Sequence, residues 1–179
     1  MSSRYVHENV ELTPIVAKPL YFGLVVNVAI PVGLLMVCYW LNNRMYLENR
    51  LGDFANPLMY IFVAIGLAKA LAALWWREKM LTQPMVRRKE TFEQDVLSGF
   101  IRISRPVFLL IASISLYGYV YFFLTGRFEE AVIFVLMSFL AFQVVRPRFG
   151  KVRKVVEQQM EMVAQGKFRR SLLDTGQTD

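Results

Sequence analysis

Lys69 is the one charged side chain in the interior of four apolar runs that fill most of the chain between Leu20 and Val145; Glu129 and Glu130 stand at the start of the fourth. The runs are residues 20–41, 57–76, 106–125 and 128–145. About 20 mostly apolar residues are enough for a helix to cross the hydrocarbon of a bilayer. Within that hydrocarbon every backbone N–H and C=O must be satisfied inside the protein, so such runs fold as helices. The pattern predicts an all-α integral membrane protein with four transmembrane helices arranged as two antiparallel hairpins.

Charge placement orients these spans. Of the 21 Lys and Arg residues, two fall in 1–19, seven in 77–105 and eight in 146–179. The connections on the other side hold only Arg44, Arg50 and Arg127, against Glu48 and Asp53 and, at the start of the fourth run, Glu129 and Glu130. Cations gather on the cytoplasmic side of short loops. Both termini are therefore expected in the cytoplasm, and a bacterial inner membrane is the expected compartment. The net charge of +7 is then a property of the cytoplasmic face, where anionic lipid headgroups are the expected partner. That bias accounts for the charge without nucleic acid, which is not expected as a partner. Residues 1–19 lack the pattern of a cleavable signal peptide, and the first run exceeds the length of a signal core.

Five segments follow: an N-terminal tail (1–19), a first hairpin (20–76), a cytoplasmic loop (77–105), a second hairpin (106–145) and a basic C-terminal segment (146–179). Pro19 stands where a first helical residue would stand, a position that tolerates a missing N–H. Pro31 lies mid-span and predicts a kink. In the central loop, Thr91-x-x-Gln94 has the spacing of a capping box. Phe92, Val96, Phe100 and Ile103 then make one apolar stripe, predicting an amphipathic helix on the membrane surface that turns into span three at Arg105-Pro106. Val152, Val156, Met160 and Val163 make a second stripe, suited to the membrane or a partner.

Lys69 is the residue to explain. Seven residues separate it from Trp76, about 10 Å along a helix. The same offset in the other spans reaches Asn27, Ser113 and Ser138, which predicts a polar layer at one depth. Lys69 has three readings: it snorkels to headgroups, it hydrogen-bonds across helices, or it meets an acid of another subunit or an anionic ligand. Ala64, Ala68 and Ala72 repeat every four residues on the same helix and predict a close helix-packing face. Tyr117, Tyr119, Tyr121, Phe122 and Phe123 read as an interfacial belt and packing layer, with a quinone or lipid groove as the alternative.

The residue inventory narrows the function. His7 is the sole histidine and Cys38 the sole cysteine. A haem held between two intramembrane histidines, or a dithiol relay, cannot be built from this chain. No carboxylate lies in the interior of a span for proton or sodium exchange, since Glu129 and Glu130 stand at the end of the fourth, and no cluster suits a metal. The sequence thus predicts a non-enzyme without cofactor: an accessory or scaffolding subunit of a larger respiratory, transport or secretion complex, partnered by other membrane subunits. The alternatives are a small homo-oligomeric channel or anion transporter with Lys69 in its path, or a lipid- or quinone-binding protein.

Overall fold

Pro31 has no N–H to offer the carbonyl four residues back, so regular α-helical bonding cannot run through it. In the computed structural model, which describes residues 11–44 and 49–169, the first helix answers by widening. Val25–Ala29 form a π-turn just before the proline, and the N–H of Ile30 reaches back to the carbonyl of Val25. The chain is α-helical on both sides, so α1 (Leu12–Arg44) is a single helix with a bulge at the expected kink. It starts well ahead of the apolar run. Pro19, expected to open the helix, lies inside it, and Pro14 takes the early position instead.

A 3₁₀ turn at Gly52–Phe54, with Gly52 at φ 52°, leads into α2 (Ala55–Leu81). Then come α3 (Phe92–Thr125), α4 (Phe128–Val145) and α5 (Phe149–Ala164). Among the described residues there is no strand. Four helical stretches are long and apolar enough to cross a membrane: Leu12–Arg44, Gly52–Leu81, Lys89–Thr125 and Phe128–Val145. Large apolar side chains cover their outer surfaces, including Met36, Tyr60, Leu71 and Leu140, as befits a membrane-embedded protein.

The central helix is α3, which touches α1, α2 and α4 and contributes more buried residues than any other helix. Only Gly126 and Arg127 separate it from α4, and Gly126 ends the helix at φ 70°, a left-handed conformation that favours glycine. The two helices approach closely at Gly118. A Cβ there would lie 2.9 Å from the carbonyl oxygen of Ala131 and 2.8 Å from the Phe134 Cβ. Further along, the Phe108 and Phe142 rings stand edge to face at 5.4 Å.

One expectation needs correcting. The segment ahead of span three is no separate surface helix: α3 runs through Pro106 as one element of 34 residues. Its stripe is covered by protein. Val96, Phe100 and Ile103 are buried in a cluster with Ile15, Val16, Leu81, Met85 and Val86, and with Val152, Val155 and Val156 of α5. The two apolar stripes meet there, together with the start of α1. Thr91 makes no capping bond to the helix; its hydroxyl donates to the Asp95 carboxylate at 2.9 Å, which also accepts the N–H of Arg87 at 2.8 Å. Gln94 plays no part in that cap.

Buried Gln159 closes this end of the bundle. Its Oε1 accepts the N–H of Met85 at 2.8 Å, and its Nε2 donates to the carbonyl of Gln83 at 3.0 Å. At the opposite end, Tyr119 Oη donates to the Pro31 carbonyl at 2.6 Å and Tyr121 Oη to the Ala55 carbonyl at 3.1 Å. Arg127 there donates to Asn56 Oδ1 at 2.8 Å, and the N–H of Arg50 to the Leu124 carbonyl at 3.1 Å.

Candidate functional site

Lys69 reaches across from α2 to α3. Its ammonium donates to Ser113 Oγ at 2.9 Å, and that hydroxyl donates onward to the Leu110 carbonyl at 2.7 Å. The same Nζ sits 4.6 Å from the centroid of the Tyr117 ring. Ser113 and Tyr117 are four residues apart, hence stacked on one helical face, and together they cradle the cation from below and beside. Tyr117 is held in turn by Phe62, whose ring centroid lies 5.0 Å away. Of the three readings of Lys69, this geometry is that of the cross-helix hydrogen bond.

The rest of the expected polar layer disperses. Ser138 is fully buried on α4 and donates to the Ile111 carbonyl at 3.0 Å, so it fastens α4 to α3 without touching Lys69. Asn27 lies in the π-turn and donates to the Gly23 carbonyl of its own helix at 3.2 Å. Its Oδ1 is buried with no partner among the described residues. Thus Lys69 and Ser113 come together, Ser138 bonds nearby on the same helix as Ser113, and Asn27 stays apart.

The small residues of α2 divide by face. Ala64, Ala68 and Ala72 are exposed, whereas Gly66 and Ala73 are buried. Within the chain, close packing uses Gly66, whose Cβ position is occupied by the Met137 side chain from α4 and flanked by Ile114 of α3. The alanine face is left outward.

Two further tyrosines of α3 are structural in their contacts. Tyr119 and Tyr121 are buried and spend their hydroxyls on backbone carbonyls, and Phe122 is buried between them and α4. Phe123 faces outward.

Three features had no signal in residue spacing. Arg77 is only 4 % exposed, an unusual depth for an arginine, and contacts Glu78 Oε1 at 3.5 Å, the oxygen that Lys151 Nζ also approaches at 3.4 Å. Gln159, described above, looked like one polar residue among several in its helix. The third is a groove of about 470 Å³ between the start of α1 and α3, edged by Lys18 and Arg105. Sequence could have flagged these two cations only by their position next to the apolar runs.

Electrostatics at the Gln159 end are set by short contacts. Burial by itself would raise the Asp95 carboxyl, but the N–H groups of Arg87 and Arg88, the Thr91 hydroxyl and the Arg87 charge together hold it below the ordinary carboxylate value. Arg169 is lowered, first by burial and then by the nearby charges of Arg102 and Arg87. Among the described residues no group of three or more His, Cys, Asp or Glu is placed to hold a metal. No protein-family model, curated protein or solved structure matches this chain.

Proposed function

We propose that this chain is a non-catalytic accessory or scaffolding subunit of a larger complex in a bacterial inner membrane. The observation that carries the reading is the outward face of α2. Ala64, Ala68 and Ala72 are exposed at four-residue spacing, although small residues in a span serve close helix contact and the chain's own core uses Gly66 and Ala73 instead. Neighbouring membrane subunits are the proposed partners at that face.

The proposed topology is two hairpins with both termini cytoplasmic. Its support is the grouping of the ends. Residues from the start of α1, the 81–103 region and α5 share one core, and they belong to the three segments that carry most of the Lys and Arg. The segments with few cations meet at the other end through Arg127, Asn56, Arg50 and Leu124. Anionic lipids then face the basic end.

The test is purification of the tagged chain from its native membrane in mild detergent, with crosslinking and mass spectrometry. The reading expects a reproducible set of larger subunits, crosslinked through Lys89, Lys151 or Lys154. Recovery of this chain alone as a defined homo-oligomer would refute it. That result would favour a second reading, a homo-oligomeric channel or anion transporter. The support for this alternative is Lys69 itself, partly buried within a span and paired with no carboxylate among the described residues. Loss of flux in Lys69→Ala with assembly intact would then be expected.

A further inference from the structure

We infer that the groove between α1 and α3 is a binding site for the headgroup of one anionic phospholipid. Lys18 lies two residues before the first apolar run and Arg105 one residue before the third, so both stand at the depth where headgroups begin. The groove they edge has a volume of about 470 Å³, within the range of small-molecule sites. Among the described residues, neither cation makes an ion pair, and no acidic side chain lines the groove.

The remaining lining is suited to what hangs below a phosphate. Tyr21, Phe22 and Ile101 give an apolar wall, and Ser104 adds a hydroxyl. Arg105 is braced, with its guanidinium 5.7 Å from the Phe22 ring centroid. A guanidinium fixed by an aromatic face keeps its N–H fork available for phosphate oxygens, and Lys18 supplies a second, mobile charge. Two cations beside an apolar wall match a phosphodiester with an acyl chain attached. A zwitterionic headgroup would bring its own cation against them.

This inference deepens the lipid part of the proposed function. It requires that the spans cross a bilayer, but it is independent of the accessory role and of partner subunits. The test uses the full chain in mild detergent with equal amounts of phosphatidylglycerol and phosphatidylcholine, read by native mass spectrometry. One phosphatidylglycerol is expected to be retained in preference to phosphatidylcholine. Lys18→Ala and Arg105→Ala should each weaken that preference by about tenfold, the loss of one charge-assisted contact. Lys154→Ala, which removes an exposed cation elsewhere, should leave it unchanged.

Equal retention of the two lipids by the wild-type chain overturns the proposal. So does an equal loss in Lys154→Ala, which would mean diffuse attraction to the basic face. Displacement of the lipid by excess inorganic phosphate also overturns it, in favour of a free-anion site. If either alanine variant elutes abnormally, Lys18→Gln and Arg105→Gln keep the side-chain volume and read the same loss.

Discussion

Gln159 offers the sharpest way to probe how the Gln83–Val86 loop is held. Replacing it with methionine keeps the length and apolar stem but removes both amide contacts. The N–H of Met85 would then be left without its acceptor in a residue that is 6 % exposed, and an unsatisfied buried donor costs about 1–3 kcal/mol. The Gln83 carbonyl belongs to an exposed residue and can turn to water, so its loss adds little. A change of about 2 kcal/mol in local opening corresponds to roughly 30-fold faster exchange of the Met85 amide. Hydrogen exchange with mass spectrometry, in detergent, reads this on peptides spanning 82–88. Peptides from the centre of α3, around Ile111 and Ile114, should keep their protection. Gln159→Glu separates the two contacts: a carboxylate still accepts from Met85 but faces the Gln83 carbonyl with like polarity. Unchanged exchange at 82–88 in Gln159→Met would refute the claim that this side chain holds the loop. Equal acceleration throughout the bundle would refute its local character.

Gly118→Ala places a methyl against the Ala131 backbone, which cannot yield as a side chain end can, so overpacking should cost about 1–3 kcal/mol. The readout is a lower midpoint of thermal aggregation by size exclusion, with Gly33→Ala, where the new methyl meets nothing, as the silent control. Asp95 predicts an acid response. Its carboxyl is held below the ordinary value, so its contribution is present above about pH 4 and fades as pH falls through the lower folded value. The protection of peptides spanning 87–95, corrected for the intrinsic pH dependence of amide exchange, should therefore fall on acidification in the wild-type chain, and Asp95→Asn should flatten that fall. For the outward α2 face, Ala64→Cys, Ala68→Cys and Ala72→Cys in a Cys38→Ser background should react with a membrane-permeant maleimide in the isolated chain. They should be shielded in the native complex, whereas equal labelling in both states would count against a docked neighbour.

The spans were legible because each is a long apolar run bounded by charge or turn residues, and the hydrocarbon leaves helices as the available structure. The pairing of Lys69 with Ser113 was legible only as one of three readings, since a shared depth was read from the offset alone. Depth, however, says nothing of rotation about the helix axis, and rotation is what sends Asn27 back to Gly23 and Ser138 to Ile111. The same ambiguity affected α2. Ala64, Ala68 and Ala72 repeat at four residues, but Gly66 and Ala73, seven apart, repeat at two turns and form the inward face. Both are valid helical periods. The stripes of Phe92–Ile103 and Val152–Val163 were read as the apolar faces of surface helices, yet an apolar face does not declare its partner, and here the two share one core. Pro106 misled as a boundary because one lost hydrogen bond is cheap beside the packing of Ile103 and Val107 on either side of it.

The core at the Gln159 end is drawn from the beginning, middle and end of the chain, and this has a consequence for biogenesis. Ile15 and Val16 leave the ribosome early, but α5, which helps to cover them, emerges after all four spans. Until then the stripe of α3 is also incompletely covered, so a chain that lacks α5 carries an exposed apolar patch at this end. Completion of α5 removes the patch in one step. The last helix thus closes a core that the earlier helices leave open.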